Sequence, residues 1–129
     1  MEKMIREGKA YVDDTDADTM KEQRRAGVES KCREQPQERN LAMWKEILAG
    51  SPEGQKYAVR AKIDMQCLNM CMRDPVFYRC KVDVPHHRHG TRYKAYPTYD
   101  FCCAIIDSKE GVTHALRSLE YSDRAHMYE

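Results

Sequence analysis

The chain has 129 residues, 41% of them hydrophobic and 33% charged, with a formal net charge of +1. That length gives one domain with a modest core, and a mean hydropathy of −0.85 marks a polar chain. The longest apolar stretch, Phe101–Ile106, is far too short to span a bilayer, and Glu2, Lys3, Arg6 and Glu7 interrupt any leader-like core, so a cytosolic protein is expected rather than a membrane or secreted one.

Glu2–Lys9 reads as the end of a helix with Met4 and Ile5 on its buried side, followed by an extended Ala10–Asp13. Thr15 and Asp16 offer an N-cap for a helix to about Arg25. The charged stretch Arg24–Glu38 has few large apolar groups and predicts a surface loop or weak helix. Glu38–Ala49 is amphipathic, with Leu41, Trp44, Ile47 and Leu48 on one side. Gly50 ends it, and Ser51-Pro52 prevents continuation.

Tyr57–Met65 alternates: Tyr57, Val59, Ala61, Ile63 and Met65 face one way, Arg60, Lys62 and Asp64 the other. The pattern predicts a half-buried strand with a mainly basic outer face. Further strands are expected over Val76–Val84 and Arg92–Tyr96, with a turn at His86–Gly90. Together these make a small antiparallel sheet carried on helices. Tyr96–Arg124 then reads as a strand ending at Pro97, a short helix, a second strand and a second helix start. No internal repeat or low-complexity tract is present.

Charge is spread unevenly. Residues 57–94 carry a net +5, whereas residues 1–56 and 95–129 carry −1 and −3. Cys32, Cys67, Cys71, Cys80, Cys102 and Cys103 invite a zinc reading, in which Cys67 and Cys71 join Cys80 or His86. The simpler expectation is small core residues in a reducing compartment, with no metal and no disulfide. His114 lies near Cys102 and Cys103 in sequence, yet nothing indicates an activated thiol, and no residue of the chain is assigned a catalytic role.

Tyr99 and Arg117 are the strongest site candidates. Each sits where a strand gives way to a helix, the place where ligands bind in open α/β sheets. A phenol beside a guanidinium suits a small carboxylate, which arginine grips in bidentate fashion.

Several segments carry a family resemblance: GKAYVDD near the start, RAKIDM at Arg60–Met65, CMRDPVFYRCK at Cys71–Lys81, the HHxxG-like turn at His86–Gly90, YPTYDF at Tyr96–Phe101, DSxEGVTHALR at Asp107–Arg117, and EYSDR. In this order they closely resemble the catalytic core of class I glutamyl-tRNA synthetases of the archaeal and eukaryotic type, the group that also gave rise to the glutaminyl enzymes. The resemblance implies an α/β fold, mixed α+β over this stretch, belonging to a Rossmann-like catalytic domain with an inserted acceptor-stem-binding subdomain. Residues 1–14 are then the end of the first half of the nucleotide-binding fold, 15–94 the insertion, and 95–129 the start of the second half.

The implied activity is attachment of glutamate to tRNA(Glu) through glutamyl adenylate, with ATP and its Mg2+ as co-substrate. Arg117 stands where glutamyl enzymes bind the substrate's side-chain carboxylate and glutaminyl enzymes carry a neutral residue, typically cysteine. An arginine without an anionic partner in a closed pocket is costly, so glutamate is expected over glutamine. Tyr99 is implied to line the amino-acid pocket, and Thr113 and His114 its nucleotide side. Asp123 is implied to read the acceptor-stem minor groove, where A-form RNA exposes its base edges. Arg60, Lys62, Arg73 and Arg79 are implied to hold the RNA backbone.

Neither the His-Ile-Gly-His-type nor the Lys-Met-Ser-Lys-Ser-type ATP signature occurs in the chain. The sequence therefore reads as an internal piece of the enzyme that is not expected to aminoacylate alone. The alternatives are a glutaminyl-tRNA synthetase piece, a non-catalytic RNA-binding module, and a zinc-dependent structural module.

Overall fold

Four short strands run antiparallel in chain order: β1 (Ala10–Asp13), β2 (Ala58–Ala61), β3 (Val76–Cys80) and β4 (Ala95–Pro97). The computed structural model describes residues 1–129. Residues 1–14 and 95–129 each supply an edge strand, and residues 15–94 supply the central pair. His86 and Gly90 exchange backbone hydrogen bonds of 2.9 and 2.8 Å, closing the expected turn between β3 and β4. The helices are α1 (Glu2–Arg6), α2 (Ala17–Ala26), α3 (Gln37–Ala49), α4 (Tyr99–Glu110) and α5 (Ala125–Tyr128). None is long and apolar enough to cross a membrane.

Local chemistry sets the helix ends. Asp16 caps α2 by accepting the Thr19 N–H at 2.9 Å. Gly50 ends α3 in the left-handed region at φ 69°. The chain then turns back so closely that a Cβ on Gly54 would collide with the Glu46 carbonyl.

One face of the sheet forms the core. Ala10, Val12 and Val59 pack against Ile5 of α1 and Met43, Trp44 and Ile47 of α3. Each large aliphatic side chain so buried contributes roughly 1.5–3 kcal/mol. Trp44 meets Tyr78 edge-on at 5.3 Å. Leu48, expected on this face, is 46% exposed because it falls at the rim of the apolar stripe.

Asn40 fastens α3 to β1. Its buried Oδ1 accepts the Val12 N–H at 2.7 Å, and its Nδ2 donates to the carbonyls of Gln35 and Pro36. Asn40→Ala is expected to cost about 2 kcal/mol in urea unfolding, since it leaves the Val12 N–H buried without an acceptor.

The opposite face departs from the sequence reading. Arg60 pairs in register with Tyr11, which places Arg60, Tyr11 and Asp13 on one side of the sheet. That side is covered by the Ser30–Glu34 stretch and the Ile63–Asp74 segment, so Arg60 and Asp13 are both wholly buried. The guanidinium donates to Asp13 Oδ2 at 2.8 Å and to the Asp74 carbonyl at 2.8 Å. Asp13 also accepts from the Ser30 hydroxyl and the Thr15 N–H. Asp74, itself at a positive φ of 39°, accepts from Tyr11 OH, Arg33 Nε and the Ile63 N–H. The alternation holds across β2, but its polar face points into a second interior rather than into water.

Two further expectations change. β2 stops at Ala61, not Met65: the Lys62 N–H still bonds the Lys9 carbonyl beside β1, but the Ile63 N–H turns to the Asp74 side chain. No strand follows α4. Gly111 closes that helix, Val112–Ser118 runs exposed without pairing, and a 3-10 turn at Leu119–Arg124 leads into α5.

Candidate functional site

β4 ends at Pro97, and α4 begins two residues later with Tyr99 and Asp100. One face of α4 then carries Asp100, Cys103 and Asp107 at helical spacing. Each grips the returning chain: Asp100 takes Arg124 Nε at 2.9 Å, Cys103 Sγ lies 3.2 Å from Tyr121 OH, and Asp107 takes Arg117 Nη2 and Tyr128 OH at 2.8 Å each.

This folding-back brings the two leading candidates together around a third residue. The Tyr121 ring lies 6.2 Å from that of Tyr99, edge to face, and the Arg117 guanidinium stands 5.5 Å over the same ring. Two open depressions share Ser118 and Tyr121. One, about 440 Å³, is lined by Tyr99, Asp100 and Arg124; the other, about 450 Å³, by Arg117, Leu116 and Tyr128. Tyr99 is 57% exposed.

Arg117 is poised for a carboxylate. Its side chain is 29% accessible, and its hydrogen bonds to Asp107 and the Leu116 carbonyl leave three of its five N–H donors free. Burial opposes its charge, but the neighbouring Tyr99 and Asp107 outweigh that and hold its pKa above the ordinary value.

Tyr121 was not among the sequence candidates. Its only signal is an aromatic side chain four residues after Arg117, in a segment without periodicity. Burial first, and then the hydrogen bond with Cys103, push its phenol up to about 12. Because folding favours the neutral phenol, this contribution to stability is complete below the ordinary tyrosine value. It is lost as pH rises through about 12. Stability measured by circular dichroism should fall over that alkaline window, and Tyr121→Phe should flatten the fall.

The other predicted residues lie elsewhere. Thr113 Oγ1 and His114 Nδ1 are 2.9 Å apart, both residues are exposed, and neither lines the two depressions. The Asp123 side chain is exposed, while its carbonyl accepts from the Asn69 amide.

Of the four arginines and lysines expected on an RNA-facing surface, Arg60 must be corrected: it is sealed inside with Asp13 and cannot reach a phosphate. Arg73 is spent on the carbonyls of Cys67, Arg24 and Arg25, and Lys62 pairs with Glu34 at 2.8 Å. Arg79 alone of the four is exposed and without an ion pair. All six cysteines are free. The ligand atoms that cluster are those of Asp13, Asp14 and Cys32, not Cys67, Cys71, Cys80 and His86. In that cluster Asp13 is held by Arg60, and Asp14 by Lys31 and the Cys32 thiol.

The family model described as tRNA synthetases class I (E and Q), catalytic domain, matches residues 1–129. The chain belongs to that family. Among curated class I relatives, the cytoplasmic glutamate–tRNA ligase of Arabidopsis thaliana is 56% identical over 98% of this chain, and that of Saccharomyces cerevisiae 53% over 98%. The bifunctional glutamate/proline–tRNA ligase of Cricetulus griseus is 58% identical over 98%. The chain spans 18% of the first two and 8% of the third. Its mixed α/β architecture with a four-stranded antiparallel sheet is thus one part of a class I synthetase catalytic domain.

Proposed function

We propose that this chain supplies the amino-acid-binding part of a glutamate–tRNA ligase. The whole enzyme condenses glutamate with ATP to glutamyl adenylate and pyrophosphate, then passes the glutamyl group to a terminal ribose hydroxyl of tRNA(Glu), releasing AMP. The observation that carries this reading is Arg117. It is already docked on one carboxylate, that of Asp107, with three N–H donors left over beside Tyr99 and Tyr121. A substrate side-chain carboxylate is the complementary ligand for such a group, and a glutamine amide is not.

In this reading Tyr99 walls the pocket and Arg117 selects glutamate. Thr113 and His114 belong to the nucleotide side, and the exposed Asp123 carboxylate accepts from a base edge of the acceptor stem. Residues 1–14 and 95–129 belong to the two halves of the nucleotide-binding fold, flanking the acceptor-stem subdomain at 15–94. ATP and its Mg2+ are handled chiefly by the two signature motifs, neither of which lies within residues 1–129. Catalysis then rests on positioning and on charge stabilisation at the pocket. The names of the plant and yeast relatives favour the cytoplasm as the site of action.

Titration calorimetry with a non-hydrolysable glutamyl adenylate analogue tests the reading. Saturable binding supports it. Absence of heat from a chain that circular dichroism shows to be folded overturns the assignment of the pocket to these residues.

A further inference from the structure

The connection between β3 and β4 carries three of the chain's five histidines, and none of them lines either depression of the amino-acid site. His86 is half-buried, while His87 and His89 are exposed. Their rings stack on that of His86, with centroids 4.4 and 5.0 Å away. From β4, the Tyr96 ring lies nearly parallel to His86, at an interplanar angle of 8° and a distance of 5.9 Å. The same imidazole organises the backbone. Its Nδ1 accepts the Arg88 N–H at 3.2 Å and the His89 N–H at 3.3 Å, inside the turn that the His86–Gly90 bonds close.

An accepting Nδ1 must keep its lone pair, so the neutral ring carries its proton on Nε2. A proton taken from water adds to Nδ1 and turns the acceptor into a donor. Both N–H groups then lose their partner and face a third N–H. The surroundings act in the same direction. No carboxylate forms an ion pair with any of the three rings, and Tyr96 brings only a neutral phenol from β4. Partial burial, and then His87, His89 and Arg88, hold the His86 pKa below the ordinary histidine value. A metal ion suits the arrangement less well: with Nδ1 committed, it would have to bind Nε2 and displace the ring's remaining proton.

We propose that the His86–Gly90 turn is a proton-operated latch on the edge strand β4, closed while His86 Nδ1 is bare and opened when it is protonated. β4 is tied to β3 at both ends. Before it, the Lys81 N–H donates to the Lys94 carbonyl at 2.7 Å. After it, Thr98 donates its N–H to the Phe77 carbonyl and its hydroxyl to the Val76 carbonyl, both at 2.8 Å. Opening the turn loosens the Lys94 end and leaves the Thr98 end, which leads into Tyr99, in place. The closed turn lowers the His86 pKa, so closure is complete above the ordinary histidine value and is lost as pH falls through the lowered one. The inference does not depend on the tRNA-ligase reading.

Backbone amide exchange followed by NMR tests the latch, read as protection factors so that the intrinsic pH dependence of exchange drops out. From about pH 7.5 to about pH 5, protection of the His86, Gly90 and Lys81 amides should fall by up to about tenfold per pH unit, the slope of one linked proton. Thr98 should keep its protection. His86→Asn should abolish the fall, because an asparagine oxygen accepts the same N–H groups without titrating. Nitrogen shifts of labelled histidine should show the wild-type His86 ring protonated on Nε2 at neutral pH. Constant protection across the titration of His86, an equal fall in His86→Asn, a parallel fall at Thr98, or a proton on Nδ1 at neutral pH each overturns the latch. Circular dichroism checks that the variant is folded, and the wild-type measurements decide the matter alone if it is not.

Discussion

Arg60→Leu is expected to remove roughly 3–5 kcal/mol of folding stability, the usual cost of deleting one partner of a buried ion pair. The change strands the Asp13 carboxylate and the Asp74 carbonyl, both of which Arg60 holds at 2.8 Å in a region closed to water. Domains of this size hold only about 5–15 kcal/mol in total, so the urea midpoint should collapse. Arg60→Met combined with Asp13→Leu should recover part of the loss, because no charge is then left unpaired. Recovery stays incomplete, since Asp13 also serves the Ser30 hydroxyl and the Thr15 N–H. A loss below about 1 kcal/mol, the range of exposed pairs, would show that water reaches the pair and that the second interior is not sealed.

Arg117→Cys should weaken the glutamyl adenylate analogue roughly 10- to 100-fold in the same calorimetric titration, in line with removal of one partner of a charge pair at a partly open site. The glutaminyl analogue should change little, because it presents an amide to that position. Arg117→Lys should restore only part of the affinity: a point charge replaces a planar fork. Equal weakening of both analogues by the cysteine variant would mean that Arg117 matters only through its structural tie to Asp107.

Both residues show where the sequence was informative and where it stopped. Helical spacing from Leu41 to Ile47 correctly marked α3, and Gly50 its end, because periodicity and the left-handed stop are local properties. The alternation through Arg60 was equally local and real, but it cannot state what covers the polar face. That was decided by the Ser30–Glu34 and Ile63–Asp74 segments, whose irregular backbones have no period. Tyr99 and Arg117 were legible through the turn after Pro97 and the family-like text around them. Tyr121, which joins them, was not. The 3-10 turn that carries it is short and aperiodic, and its position comes from side-chain ties to α4.

The sheet order also has a consequence for how the chain is made. β1 leaves the ribosome before its partner β2, and Asp13 must wait for an arginine 47 residues downstream. At synthesis rates of roughly 5–20 residues per second that delay is about 2–10 s. α2 and α3 are local enough to form in the interval. Throughout it, Asp13 and Tyr11 lack their Arg60 and Asp74 partners, so the nascent chain passes through a stage in which the polar face of β1, later sealed from water, is hydrated.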